Sequence, residues 1–147
     1  MILYFDSSAL VKRYVEEQGS SDVLDWMDDS DLNGTVLVTR AEVAAAITRA
    51  VRMRYVSQEE ARQFLEIFRK EWSGFHRLPV TETLVARADA LACEHALRGY
   101  DSIHLAAALT WQELLDVPVT LVTYDRELAE TARASGMAVL PSMAELP

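Results

Sequence analysis

The chain has few of the residues that make some functions easy to assign. It carries one cysteine, Cys93, so no disulfide can form within it, and a reducing cytoplasm is the expected setting. Cys93 falls in the helical pattern LVARADALACEHAL, where a small core residue is expected rather than a reactive thiol. Five glycines and four prolines among 147 residues, with half the chain hydrophobic, exclude a disordered or fibrous chain and predict one domain spanning 1–147. No apolar run approaches a membrane span, and the opening MILYF lacks the length and basic flank of a signal peptide. There is no glycine-rich phosphate loop and no G-x-S-x-G setting for Ser7 or Ser8, which argues against a nucleotide fold of those types and against a serine nucleophile.

Histidine is scarce too. His76 and His95 have no ligand-like spacing around them, while His104, one helical turn after Asp101, can approach an acidic site or serve a core or supporting role. Trp26, Trp72 and Trp111 all sit within helical patterns and are expected to pack rather than stack on bases. Positive charge is in deficit, with a net charge of −9. Its distribution says more, because residues 40–77 hold eight of the fourteen Lys and Arg against five acids. A basic middle between acidic flanks is either a solvated helical hairpin or a pole that meets phosphate.

What is present is an alternation of short apolar runs with helical periodicity. Strands are expected at 2–5, 35–38, 78–80 and 119–123, and in MAVL. Between them the sequence predicts a helix capped by Ser7 and Ser8 and stopped near Gly19, a short helix over 21–29, and an αα-hairpin over 40–72. Ser57 and Glu60 match a capping box at the start of that hairpin's second helix. Further helices are ETLVARADALACEHAL, the largely apolar DSIHLAAALTWQELL after the LRGY break, and DRELAETARAS, stopped by Gly136; DDSDLNG reads as a loop. Such alternation implies an α/β fold with a parallel sheet covered on both faces and the strand C-termini along one edge. Ligands bind such sheets where the strand order reverses.

Four acids sit beside breaks between these runs. Asp6 follows MILYF, Glu42 follows TVLVTRA, Asp101 follows LRGY, and Asp125 follows VTLVTY. Each has an ordinary explanation as a helix cap, and TRAE would make Thr39 and Glu42 a capping box. Yet Ser or Thr would cap as well, and carboxylates gathered about 4 Å apart would repel by roughly 4 kcal/mol at an effective dielectric of 20. A protein relieves that by protonation or by binding a cation. An all-oxygen set suits Mg²⁺ or Mn²⁺ rather than zinc, and such ions commonly handle phosphates.

The segments ILYFDSSALVKRYV, TRAEVAAAITR, LRGYDSIHLAAAL and LVTYDREL, in that order, resemble the four acidic motifs of PIN-domain nucleases, above all the VapC toxins of toxin–antitoxin pairs. The resemblance covers essentially the whole chain. It implies a three-layer α/β/α sandwich around a parallel sheet of about five strands, with Asp6, Glu42, Asp101 and Asp125 as the catalytic, Mg²⁺- or Mn²⁺-binding acids. Thr123 matches a supporting hydroxyl of the family, and Ser7 is expected to act alongside it. The implied activity is endonucleolytic cleavage of RNA, a tRNA or rRNA among the possible targets, by a homodimer restrained by a cognate antitoxin. Arg40, Arg49, Arg52 and Arg54 are the candidate RNA or antitoxin contacts. The alternatives are a nuclease for other RNA or single-stranded DNA outside such a pair, a phospho-receiver-like signalling domain, and a binding module whose acids are only caps. A receiver needs an acceptor Asp on a middle strand and a late Lys, and the last lysine here is Lys70.

Overall fold

A computed structural model describes residues 1–147. Five strands alternate with helices: β1 (Ile2–Phe5), β2 (Leu32–Val36), β3 (His76–Leu78), β4 (Val119–Val122) and β5 (Ala138–Leu140). The helices are α1 (Ser7–Leu10), α2 (Ser20–Asp29), α3 (Thr39–Arg52), α4 (Gln58–Glu71), α5 (Glu82–His95), α6 (Gly99–Leu115) and α7 (Arg126–Ala134). The strands form one parallel sheet in the order β3-β2-β1-β4-β5. The chain thus builds outward from β1 to β3, then returns to β1's other side with β4. The strand order reverses between β1 and β4.

Period-two alternation along the strands divides the core into two faces. Tyr4, Val36 and Leu121 pack with α5, α6 and α7, whereas Leu3, Phe5 and Val122 pack with α1, α3 and α4. Both faces of β1 are covered, which is why it reads as a continuous apolar run. Helix α6 is buried along most of its length, and Trp111 lies over β2 where Gly34 leaves room for its ring. No helix is long and apolar enough to cross a membrane.

The expected three-layer α/β/α sandwich with five parallel strands is present. Several local expectations are not. The first helix ends early, in a 3₁₀ turn over Val11–Arg13, and Gly19, in the left-handed region at φ 89°, opens α2 instead of closing α1. Strand β2 begins at Leu32, inside the segment read as a loop, because pairing with β1 outweighs the turn propensity of Asn33 and Gly34. Strand β3 comes two residues early, set by its register with β2. Cys93 is exposed, on the outer side of α5, with its Sγ 3.6 Å from Asp89. Trp72 and Trp111 are core residues and Trp26 packs at the core's margin.

Candidate active site

Asp6 leaves the end of β1 and caps α1, accepting a hydrogen bond from the Ala9 amide at 2.9 Å. It is only 3% exposed, and two hydroxyls are turned toward its carboxylate. Ser8 Oγ donates to it at 2.7 and 2.9 Å, and Thr123 Oγ1 donates to Oδ2 at 2.6 Å. Burial raises the Asp6 pKa, while these donors oppose the shift by favouring the charged form. Ser7, expected to support the site, makes no side-chain hydrogen bond; the neighbour that does is Ser8. The α1 backbone turn decides this, since it points residue 8 back over the Asp6 carboxylate.

Thr123 is fully buried just past β4 and ties the two sheet-edge acids together. Its Oγ1 also accepts from the Asp125 amide at 3.0 Å. Asp125 caps α7 through the Leu128 amide at 2.8 Å, so the capping role expected for Asp6 and Asp125 holds at both. It does not hold at the other two acids. Asp101 lies within the first turn of α6, whose N-cap is Arg98, because Gly99 and Tyr100 are already helical. Thr39 is inside α3 and bonds Thr35 Oγ1 at 2.7 Å, so it forms no capping box with Glu42.

These last two acids are engaged in the tertiary structure instead. The Arg98 guanidinium bridges Asp101 at 2.9 Å and Asp125 at 2.7 Å. Burial and the neighbouring Asp125 charge raise the Asp101 pKa against the pull of Arg98. Glu42 reaches across to His104, whose Nε2 lies 2.7 Å from Oε1. His104 is itself buried and meets the Tyr4 hydroxyl through Nδ1 at 2.9 Å. Sequence reasoning missed Ser8, Arg98 and Tyr4. Arg98 carried a readable signal, as a cation three residues before a helical Asp.

All of these groups come from β1, α1, α3, α6 and the β4–α7 junction, at the C-terminal edge of the sheet beside the β1/β4 reversal. In this arrangement no three His, Cys, Asp or Glu side chains stand close enough to share one ion. The donors are nevertheless carboxylate and hydroxyl oxygens, the chemistry that suits a hard divalent cation. A cation already stands between two of them, as the Arg98 guanidinium, which is 71% exposed. The Asp101–Asp125 pair that Arg98 bridges is the part of the set already arranged around a positive charge.

Of the proposed contact arginines, Arg40 lies in the first turn of α3 beside Glu42, while Arg49, Arg52 and Arg54 follow toward that helix's far end. Arg40, Arg49, Arg52 and Arg54 are exposed and make no ion pair, and Arg52 lines a groove between α3 and α4 with Arg62 and Arg69. The antiparallel pairing of α3 with α4 is the predicted αα-hairpin. Its capping box is formed, with Ser57 Oγ accepting from the Glu60 amide at 3.1 Å and Glu60 accepting from the Ser57 amide at 2.9 Å.

Comparison with known proteins agrees with this architecture. The family model described as PIN domain matches residues 3–134. Ribonuclease VapC45 of Mycobacterium tuberculosis is 33% identical over 141 residues, covering 96% of each chain. Among solved structures, FitAcB from Neisseria gonorrhoeae superposes with a TM-score of 0.68 at 16% identity, over 95% of this chain and 97% of the other. A toxin–antitoxin complex from Klebsiella pneumoniae gives a TM-score of 0.59 at 20% identity, over 85% and 87%. At those identities the two structures bear on the fold alone. With the family model spanning most of its length and the curated relative covering nearly all of it, the chain belongs to the PIN-domain family and is similar to VapC ribonucleases.

Proposed function

We propose that this chain is a Mg²⁺- or Mn²⁺-dependent endoribonuclease, a single nuclease domain over residues 1–147, acting as the toxin of a toxin–antitoxin pair in the cytoplasm. The observation that carries the reading is the gathering of Asp6, Glu42, Asp101 and Asp125 at the sheet edge beside the strand-order reversal. Each is oriented by a specific partner there. Asp6 and Asp101 would be the principal ligands, with Glu42 and Asp125 completing the set. A divalent cation bound there supplies Lewis acidity toward a phosphodiester and acidifies a water for in-line attack.

The chain's own groups do the positioning. Ser8, Thr123 and the Ala9 amide hold the Asp6 carboxylate in one orientation, and its burial makes a bound cation the most favourable counter-charge. Thr123 fixes the spacing of Asp6 to Asp125 through one hydroxyl. Arg98, displaced from Asp101 and Asp125, is on the surface beside the site and suited to a phosphate oxygen of the substrate. The exposed, unpaired Arg40, Arg49, Arg52 and Arg54 offer a surface for the RNA backbone or for an antitoxin, and the active form is a homodimer.

Incubation of the purified protein with total RNA tests this. Cleavage that requires Mg²⁺ or Mn²⁺, stops with EDTA and is lost in Asp6→Asn supports the reading. Cleavage that survives both treatments, or a preference for single-stranded DNA over RNA, overturns it.

A further inference from the structure

Three elements distant in sequence are joined by one chain of hydrogen bonds that ends in a site carboxylate. Tyr4 of β1 is fully buried and its hydroxyl lies 2.9 Å from His104 Nδ1. His104 of α6 is 2% exposed, and its Nε2 lies 2.7 Å from Glu42 Oε1 of α3. The Tyr4 and His104 rings meet edge to face, with centroids 5.9 Å apart at 75°, so the imidazole is held in plane as well as at both nitrogens. A neutral imidazole has one donor and one acceptor nitrogen. An ionised Glu42 only accepts, which requires the proton on Nε2. Nδ1 is then the acceptor, and the Tyr4 hydroxyl is the donor that selects this tautomer. Burial raises the Tyr4 pKa and keeps that hydroxyl protonated.

We infer that His104 is a positioning residue for Glu42, with Tyr4 setting the tautomer that presents the Nε2–H to the Glu42 carboxylate. An ordinary core histidine would need only to have its nitrogens satisfied. Here both nitrogens are committed to a path that fixes a flexible acid. Glu42 has three rotatable side-chain bonds, and the His104 contact selects one arrangement by engaging Oε1 while Oε2 makes no hydrogen bond. His104 lies one turn beyond Asp101 on the same buried helix, so the contact also ties α3's acid to the element carrying Asp101. The inference rests on the reading of Glu42 as a metal-site acid.

The substitutions that test it differ in which nitrogen they imitate. His104→Gln retains an N–H donor near the Nε2 position, whereas His104→Asn imitates the Nδ1 side and leaves Glu42 without a donor. Calorimetric titration with Mn²⁺, on variants confirmed folded by thermal unfolding, should show binding about 10-fold weaker or more in His104→Asn, the effect typical of losing a partner to a ligating group. His104→Gln should stay within about 3-fold of wild type on the same scale. In a Glu42→Gln background, His104→Asn should lose most of its effect. Equal weakening by Asn and Gln, or an undiminished effect in the Glu42→Gln background, would overturn the inference.

A separate measurement needs neither variant nor metal. Nitrogen-15 NMR of the wild-type ring should show Nε2 protonated and Nδ1 bare, and a protonated Nδ1 overturns the role given to Tyr4. If wild type binds no Mn²⁺, the nuclease reading fails at that step, while the NMR result still decides how His104 is held.

Discussion

Thr123→Val removes a single hydroxyl from the centre of the site at almost constant volume. Three contacts go with it: the 2.6 Å donation to the buried Asp6 carboxylate, the 3.0 Å acceptance from the Asp125 amide, and a long 3.4 Å contact with Ser8 Oγ that adds little. A hydrogen bond to a charged group contributes about 1.5–3 kcal/mol, and the half-buried amide adds roughly 0.5–1.5 kcal/mol. Ser8 stays bonded to Asp6, which limits the loss to about 2–4 kcal/mol, or a fall in Tm of roughly 5–15 °C for a chain of this size. Urea unfolding in EDTA at neutral pH measures it. The pH dependence checks the cause. The Thr123 bond lowers the Asp6 pKa, so the variant's folded pKa lies above the wild-type value, which burial has already raised. The penalty is therefore full above the variant's folded pKa, shrinks as pH falls through it, and reaches its residue below the wild-type folded pKa. A variant as stable as wild type at neutral pH, or a loss that does not change on acidification, would refute the account of Asp6 as a buried ionised acid held by Thr123.

The other predictions bear on separate parts of the molecule. Arg98→Ala leaves Asp101 and Asp125, 14% and 21% exposed, without their shared cation, so it should lower metal-free stability by about 1–3 kcal/mol, but tighten Mn²⁺ binding by calorimetry because no internal cation competes for the two acids. Unchanged or weaker binding counts against the stand-in role. Gly34→Ala would bring a Cβ within 2.4 Å of the Trp111 ring and should cost about 1–3 kcal/mol or more in urea unfolding; a neutral effect would mean the indole moves freely. Ser57→Ala should cost about 1 kcal/mol through loss of the capping box, with RNA cleavage intact, as α4 contributes no group to the site.

Much of the architecture was legible because the signals were local. Apolar runs without alternation mark strands buried on both faces, and the Ser57–Glu60 spacing marks a helix start whatever packs above it. Asp6 and Asp125 were readable for the same reason, as one directly follows β1, the other lies three residues past β4, and each caps the next helix. Glu42 and Asp101 were not readable as capping residues. The TRAE spacing favours a local capping box, but Thr35 draws the Thr39 hydroxyl away, and Glu42 finds His104, 62 residues distant. Cys93 shows the opposite error, since a small residue in a helical pattern does not reveal which side of α5 faces the core.

The sequence by itself determined which elements form and their alternation, because backbone propensity and capping act within a few residues, whereas the bounds of β2 and β3 followed from their pairing in the sheet. Tertiary structure alone decided that β1 lies beside both β2 and β4, so that acids from four separate helix starts meet at one edge. It also decided their partners: Arg98 between Asp101 and Asp125, Thr123 between Asp6 and Asp125, and His104 behind Glu42. Those pairings depend on strand order and on the seating of α6, which no window of neighbouring residues encodes.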